Sequence, residues 1–107
     1  MKVSPSELDR NGYAPSIIQD DTTCCYLCGR RDGKLDRHEP MQGNAYRAKS
    51  KSDGLWVALC HVPCHEGQAH GNREIRERLC QDAQTAAMQH YGWTVDDWRQ
   101  RYGKNWL

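Results

Sequence analysis

The chain has 107 residues, enough for one domain with a thin core, since only 37% of it is hydrophobic and it contains no Phe. A formal net charge of +1 points to no class of partner by itself. No stretch approaches the roughly 20 apolar residues of a membrane span, and Met1-Lys2-Val3-Ser4-Pro5 begins no apolar signal stretch. The cysteine usage, six in all, therefore points to bound zinc in a cytoplasmic protein rather than to a secreted disulfide framework.

Residues 1–22 mix polar residues, Pro and Gly around one apolar pair, Ile17-Ile18. They read as a partly flexible leader lying along the domain, with a brief strand near Ser16–Gln19. A single domain is expected over 23–107. Cys25 and Cys28, followed by Gly29, have the spacing of a knuckle turn that aims two thiolates at one ion. Cys24 competes with Cys25 for that place. Asp32-Gly33 is a hairpin-type dipeptide. Leu35–Glu39 then reads as a short strand carrying His38, with Pro40 holding Glu39 extended.

From Arg30 to Lys51 seven basic residues stand against three acidic ones. That local excess suits a phosphate backbone and equally suits a solvated loop. Positions 42–53 are polar, basic and without periodicity, which predicts an irregular loop. Leu55–Leu59 is the best strand signal, and pairing it with Leu35–Glu39 brings His38 towards a second cysteine pair, Cys60 and Cys64. Pro63 suits the turn before a helical turn that holds Cys64 and His65. Asn72 is a good N-cap and Gly92 a natural stop for the main helix, with Ile75, Leu79, Ala83, either Ala86 or Ala87, and either His90 or Tyr91 on one face. Thr94 and Asp97 form a capping box for a second helix, Trp93 and Trp98 a hydrophobic staple, and Gly103 ends it. Cys80 and His90 read as packing or capping residues.

Four cysteines in two pairs make a zinc staple, Cys25, Cys28, Cys60 and Cys64. A zinc ribbon would need no more. The interleaved histidines point further. His38 at a strand end can take a proton from water near neutral pH. His65, fixed beside Cys64, suits a ligand of a second divalent ion, and a turn at Gly71-Asn72 can swing His70 to the same place. Glu39 can ligate the ion or orient a histidine, and His61 is the competing ligand.

Together Cys25–Cys28, His38-Glu39, Gly43 with Arg47 and Ser50, Gly54-Leu55-Trp56-Val57, Cys60…Cys64-His65, Ala69-His70-Gly71-Asn72 and Gly103-Lys104-Asn105 resemble small HNH endonucleases of bacteriophages and prophages, in the ββα-metal nuclease superfamily. The resemblance runs from Ser16 to Leu107. It implies a small α+β, zinc-stabilised domain with a ββα-metal hairpin–helix core and additional C-terminal helices. By the same resemblance His38 activates water, and His65 and His70, with Glu39, bind a catalytic divalent ion (Mg²⁺, Mn²⁺, Ni²⁺ or Zn²⁺). Asn44 is the candidate for the central position, against Tyr46 and Asn72. Relatives often have a second histidine where this chain has Glu39. The implied substrate is DNA, with Arg47, Lys49 and Lys51 on flanking phosphates. The implied setting is the bacterial cytoplasm, beside a phage or host recombination or packaging protein. The alternative is a catalytically weak, zinc-bound DNA-binding or accessory module. A third reading, a protein-interaction adaptor built on the C-terminal helices, predicts a large apolar patch and scattered histidines.

Overall fold

A computed structural model describes residues 8–107, so positions 1–7 of the expected leader lie outside the described residues. Strand β1 (Leu35–His38) pairs antiparallel with β2 (Val57–Cys60), in a register that sets Leu35 opposite Cys60 and His38 opposite Val57. Between the strands runs helix α1 (Asn44–Asp53). After β2 comes a π-helical segment, His61–Ala69, broken by an extended residue at Val62. Helices α2 (Arg73–Tyr91) and α3 (Val95–Tyr102) complete the order. The described residues thus form a small α+β domain with a two-stranded sheet and four helices. Among them no helix is long and apolar enough to cross a membrane.

A two-stranded sheet leaves β2 with a free edge, and buried peptide groups there need partners. The preceding chain supplies them. Ala58 N–H donates to Gln19 Oε1 at 2.8 Å, and Ala58 C=O accepts from Tyr26 N–H at 2.7 Å. Gln19 also donates through Nε2 to the carbonyls of Asp21 and Cys24, so one buried amide ties the cysteine knuckle to the sheet. No strand forms at Ser16–Gln19. Ser16 instead donates through Oγ to Trp56 C=O and accepts from the N–H groups of Ile18 and Gln19, which bends the chain into a turn.

The expected loop at 42–53 is mostly helix α1, a correction with an identifiable cause. Its sequence has no apolar stripe, so its stability comes from its ends and from tertiary contacts. Gly54 caps it in the left-handed conformation, φ 75°, and a Cβ there would collide with the Pro15 carbonyl oxygen. Asp53, its last residue, is buried and accepts from Arg101 at 2.5 and 2.9 Å and from Tyr102 Oη at 2.6 Å. Tyr91 Oη donates to the Asp53 carbonyl at 2.8 Å.

Helix α2 divides the core. Ile75 and Leu79 pack with Val57, Leu59 and the cysteines, while Cys80, Ala83 and Ala87 pack with Met41, Leu55, Trp98 and Tyr102. The predicted helix ends hold. Asn72 Oδ1 accepts from Ile75 N–H, Gly92 closes α2, and Thr94 and Asp97 exchange both capping-box bonds. Gln84, fully buried on α2, accepts from Trp106 N–H at 2.7 Å and donates to Asn105 at 2.8 Å, which clamps the C-terminal tail.

Asp53→Ala strands Arg101 in a quarter-exposed position and leaves Tyr102 Oη without its acceptor. Urea unfolding of the metal-loaded protein is expected to show a loss of about 3 kcal/mol, against at most about 1 kcal/mol for Tyr102→Phe, which removes one hydrogen bond but strands no charge.

Candidate metal centre

The cysteine knuckle and the turn after β2 bring four thiols together. One ligand atom from each of Cys25, Cys28, Cys60 and Cys64 lies within 4.8 Å of the others. Cys28 Sγ and Cys60 Sγ are 3.8 Å apart, far beyond the about 2.0 Å of a disulfide. That separation equals the about 3.8 Å edge of a tetrahedron whose metal–sulfur bonds are about 2.3 Å. Burial opposes ionisation of Cys25, but bonds from the N–H groups of Cys28, Cys60 and Leu27 outweigh it and bring the thiol to about 6. Burial and the three neighbouring sulfurs push Cys64 the other way. A cation among the four sulfurs would favour their ionised forms, and the four cysteines could hold zinc. Cys24 stands outside the group, with its thiol on the Asp21 carbonyl.

A second donor group lies beside this one. His38, His65 and His70 converge, again with one ligand atom each within 4.8 Å of the others. His38 comes from the end of β1 and is 3% exposed, and its Nε2 is buried with no partner among the described residues. Burial, followed by the charges of His65 and His70, lowers His38 to about 4, so its imidazole is neutral. His65 Nε2 and His70 Nε2 face each other at 3.2 Å. Two nitrogens each about 2.1 Å from one ion stand about 3.0 Å apart in octahedral and about 3.4 Å apart in tetrahedral geometry. The pair fits a shared divalent ion.

Asp36 decides which nitrogen of His65 is free. Its Oδ2 lies 2.8 Å from His65 Nδ1 and 2.6 Å from His61 Nδ1. Burial alone would raise the Asp36 carboxyl, but the two imidazoles and Lys34 hold it at about 2. An ionised carboxylate only accepts, so both Nδ1 atoms carry their protons and His65 Nε2 presents a lone pair to the cleft. Asp36, His61, His65 and Glu66 also have ligand atoms within 4.8 Å of one another. The 2.6 and 2.8 Å separations from Asp36 are hydrogen-bond lengths, shorter than the about 3 Å between neighbouring ligands of one ion, so we read Asp36 as an orienting group.

The histidines open into a cleft of about 390 Å³, also lined by Arg37, Glu39, Gln42, Asn44 and Arg47. Glu39 sits in this cleft but outside the converging donors, with Arg47 Nε at 3.5 Å from its carboxylate. Asn44 opens α1 at the cleft wall. Arg37 lines the cleft too, paired with Asp9 at 2.6 Å and stacked over Tyr13. Lys49 and Lys51 turn elsewhere. Lys49 Nζ donates to Arg101 C=O, and Lys51 Nζ donates to Asn11 C=O above the Tyr13 ring. His90 is exposed in the last turn of α2, edge-on to Tyr91, and Cys80 is buried with its thiol on Pro40 C=O.

Sequence reasoning missed Asp36 and Arg37. Strand alternation was the available signal for Asp36, because a residue two before His38 on a strand shares its face.

Comparison with known proteins adds little. No protein-family model matches the chain, and no solved structure matches it. Laccase-like multicopper oxidase 1 of Thermothelomyces thermophilus is 39% identical over 54 residues, which is 50% of this chain and 8% of that protein. The chain therefore spans under a tenth of that oxidase, and the match assigns no family.

Purified protein is expected to carry one tightly held zinc per chain by mass spectrometry. Cys60→Ser or prolonged chelation is expected to remove it and to collapse the cooperative thermal transition, because binding at such a site contributes directly to folding. An intact transition after complete metal removal would contradict this.

Proposed function

We propose that the chain is a metal-dependent endonuclease of the HNH type, hydrolysing DNA phosphodiester bonds from the three-histidine cleft. The observation that carries this reading is the convergence of His38, His65 and His70 beside, and separate from, the thiol cluster. A zinc-binding module needs the thiols alone. In the same reading the β1–β2 hairpin and the segment after it correspond to the ββα-metal core, and zinc occupies the thiol cluster.

His65 and His70 would hold the divalent ion, which when bound supplies Lewis-acid stabilisation of charge on the scissile phosphate. His38 accepts the proton of the attacking water through its unpartnered Nε2, and its burial keeps the imidazole neutral and available. Asp36 holds His65 in the tautomer that leaves Nε2 free. Arg47 and Arg37 receive the flanking phosphate oxygens, and Glu39 aligns Arg47 from the cleft wall. Asn44, at the first turn of α1, offers its amide and a helix N-terminus to the same anion. Lys49 and Lys51, engaged elsewhere, serve the structure of α1 in this reading.

Nicking of supercoiled plasmid in Mg²⁺, Mn²⁺ or Ni²⁺ tests the proposal. His38→Ala is expected to lower the rate roughly 10²–10⁴-fold while retaining zinc in the thiol cluster. Equal rates for the two proteins would refute the role of His38, and no nicking by the wild type would leave the zinc-bound accessory module as the better account.

Asp36→Asn is expected to lower nicking about 10–100-fold. The accompanying readout is the divalent-ion requirement. An orienting role predicts that a higher concentration of the ion recovers part of the rate, whereas a purely structural role predicts the same fractional loss at every concentration.

A further inference from the structure

A second concavity, of about 320 Å³, adjoins the histidine cleft, and Met41 and Gln42 line both. Its walls include the rings of Tyr46 and Trp106, and its rim carries Arg76 and Lys104. Lys104 Nζ lies 4.2 Å from the Trp106 ring centroid, setting a cation beside that ring. Tyr46 Oη has no hydrogen-bond partner among the described residues, and Gly103 passes so close that a Cβ would meet that hydroxyl at 2.8 Å. The proposed mechanism uses none of these groups.

Three features narrow the occupant. The volume is at the small end of the roughly 300–1,000 Å³ range of small-molecule sites, which suits one planar heterocycle. Two rings and a thioether provide apolar faces, while the Tyr46 hydroxyl and the Gln42 amide offer polar edges. Arg76 and Lys104 at the rim, with Arg47 in the adjoining cleft, call for an anionic chain rather than a neutral ligand.

We infer that this concavity receives an unpaired nucleobase next to the scissile phosphate, so that the enzyme acts on strands whose bases are free to leave the stack. This rests on the nuclease reading for the identity of the phosphate. A base in duplex is stacked and must be extruded to enter such a pocket, whereas one in a single strand or a flap enters at little cost.

The test uses the full-length, zinc-loaded chain without added divalent ion, so that binding is measured without cleavage. Fluorescence anisotropy compares a thymidine decamer with an abasic decamer of equal length. The thymidine strand is expected to bind more tightly, and Trp106→Ala to weaken it roughly 5- to 100-fold, the loss of about one base–aromatic stack, while leaving abasic binding unchanged. Trp106→Phe, which keeps a ring and the main-chain bond to Gln84, is expected to recover most of the affinity and guards against misfolding of the alanine variant. Equal binding of both decamers with the same salt dependence would overturn the base pocket and leave the phosphate cleft standing. Trp106-dependent thymidine binding without nicking in any divalent ion would uphold the pocket and refute the nuclease reading. Binding of neither decamer would overturn the base pocket, while plasmid nicking decides the nuclease reading separately.

Discussion

Four sulfurs drawn from two distant segments meet within 4.8 Å of one another, and much of the rest of the molecule follows from that constraint. Cys28 and Cys60 are 32 positions apart yet 3.8 Å from sulfur to sulfur. Holding the knuckle against the end of β2 sets Leu35 opposite Cys60, and this register in turn sets the strand faces. Asp36 and His38 alternate with Leu35 and Arg37, so a slip of one residue would turn the acid and the imidazole away from the turn after β2. The thiol cluster performs no chemistry of its own in the proposed reaction. It holds Cys64, and therefore His65, where a β1 residue can reach it.

Position and protonation are settled by different groups. Cys64 places the His65 backbone, while Asp36 sets which ring nitrogen is free, through a hydrogen bond of 2.8 Å. His61 shares the same carboxylate oxygen at 2.6 Å and is half-exposed. It is a partner of the orienting acid rather than a member of the three-histidine group. Such division suits a domain with so little apolar core, because directional bonds fix a side chain where packing alone would leave it several rotamers.

The features legible in the sequence were those whose cause is local. Two residues between Cys25 and Cys28, Asn72 before a periodic helix, and Thr94 with Asp97 each act over a few positions, and each behaves as its spacing implies. Helix α1 was illegible because nothing within it announces a helix. Its anchors are Arg101 and Tyr102, which meet Asp53 from almost 50 residues away. The same helix scattered the basic residues. At 3.6 residues per turn Lys49 is rotated about 200° from Arg47, while Lys51, one turn beyond Arg47 on the same side, is drawn off to the Asn11 carbonyl. One charge of the three therefore faces the cleft, and a count along the sequence could not tell which. Asp36 was legible in principle, since strand alternation puts it on the face of His38, but its value appears only once His65 is seen to need an acceptor.

The remaining link is the short stretch Pro40–Gly43, which connects β1 to α1 and forms the wall between two concavities of different character. On one side are imidazoles, Arg47 and Asn44; on the other are Tyr46, Trp106 and a cationic rim. Glu39, just before it, is drawn towards Arg47 rather than into the donor group, so the residues that could hold an ion there are the three histidines. In the proposed reaction an ion held by His65 and His70 would supply Lewis-acid stabilisation of charge on a phosphodiester. A strand lying across the wall would present its phosphate to one side and its base to the other. The C-terminal tail completes the base side, since Trp106 is held there by the buried amide of Gln84. In the proposed reading that tail, clamped to α2, would carry the ring that distinguishes a free base from a stacked one.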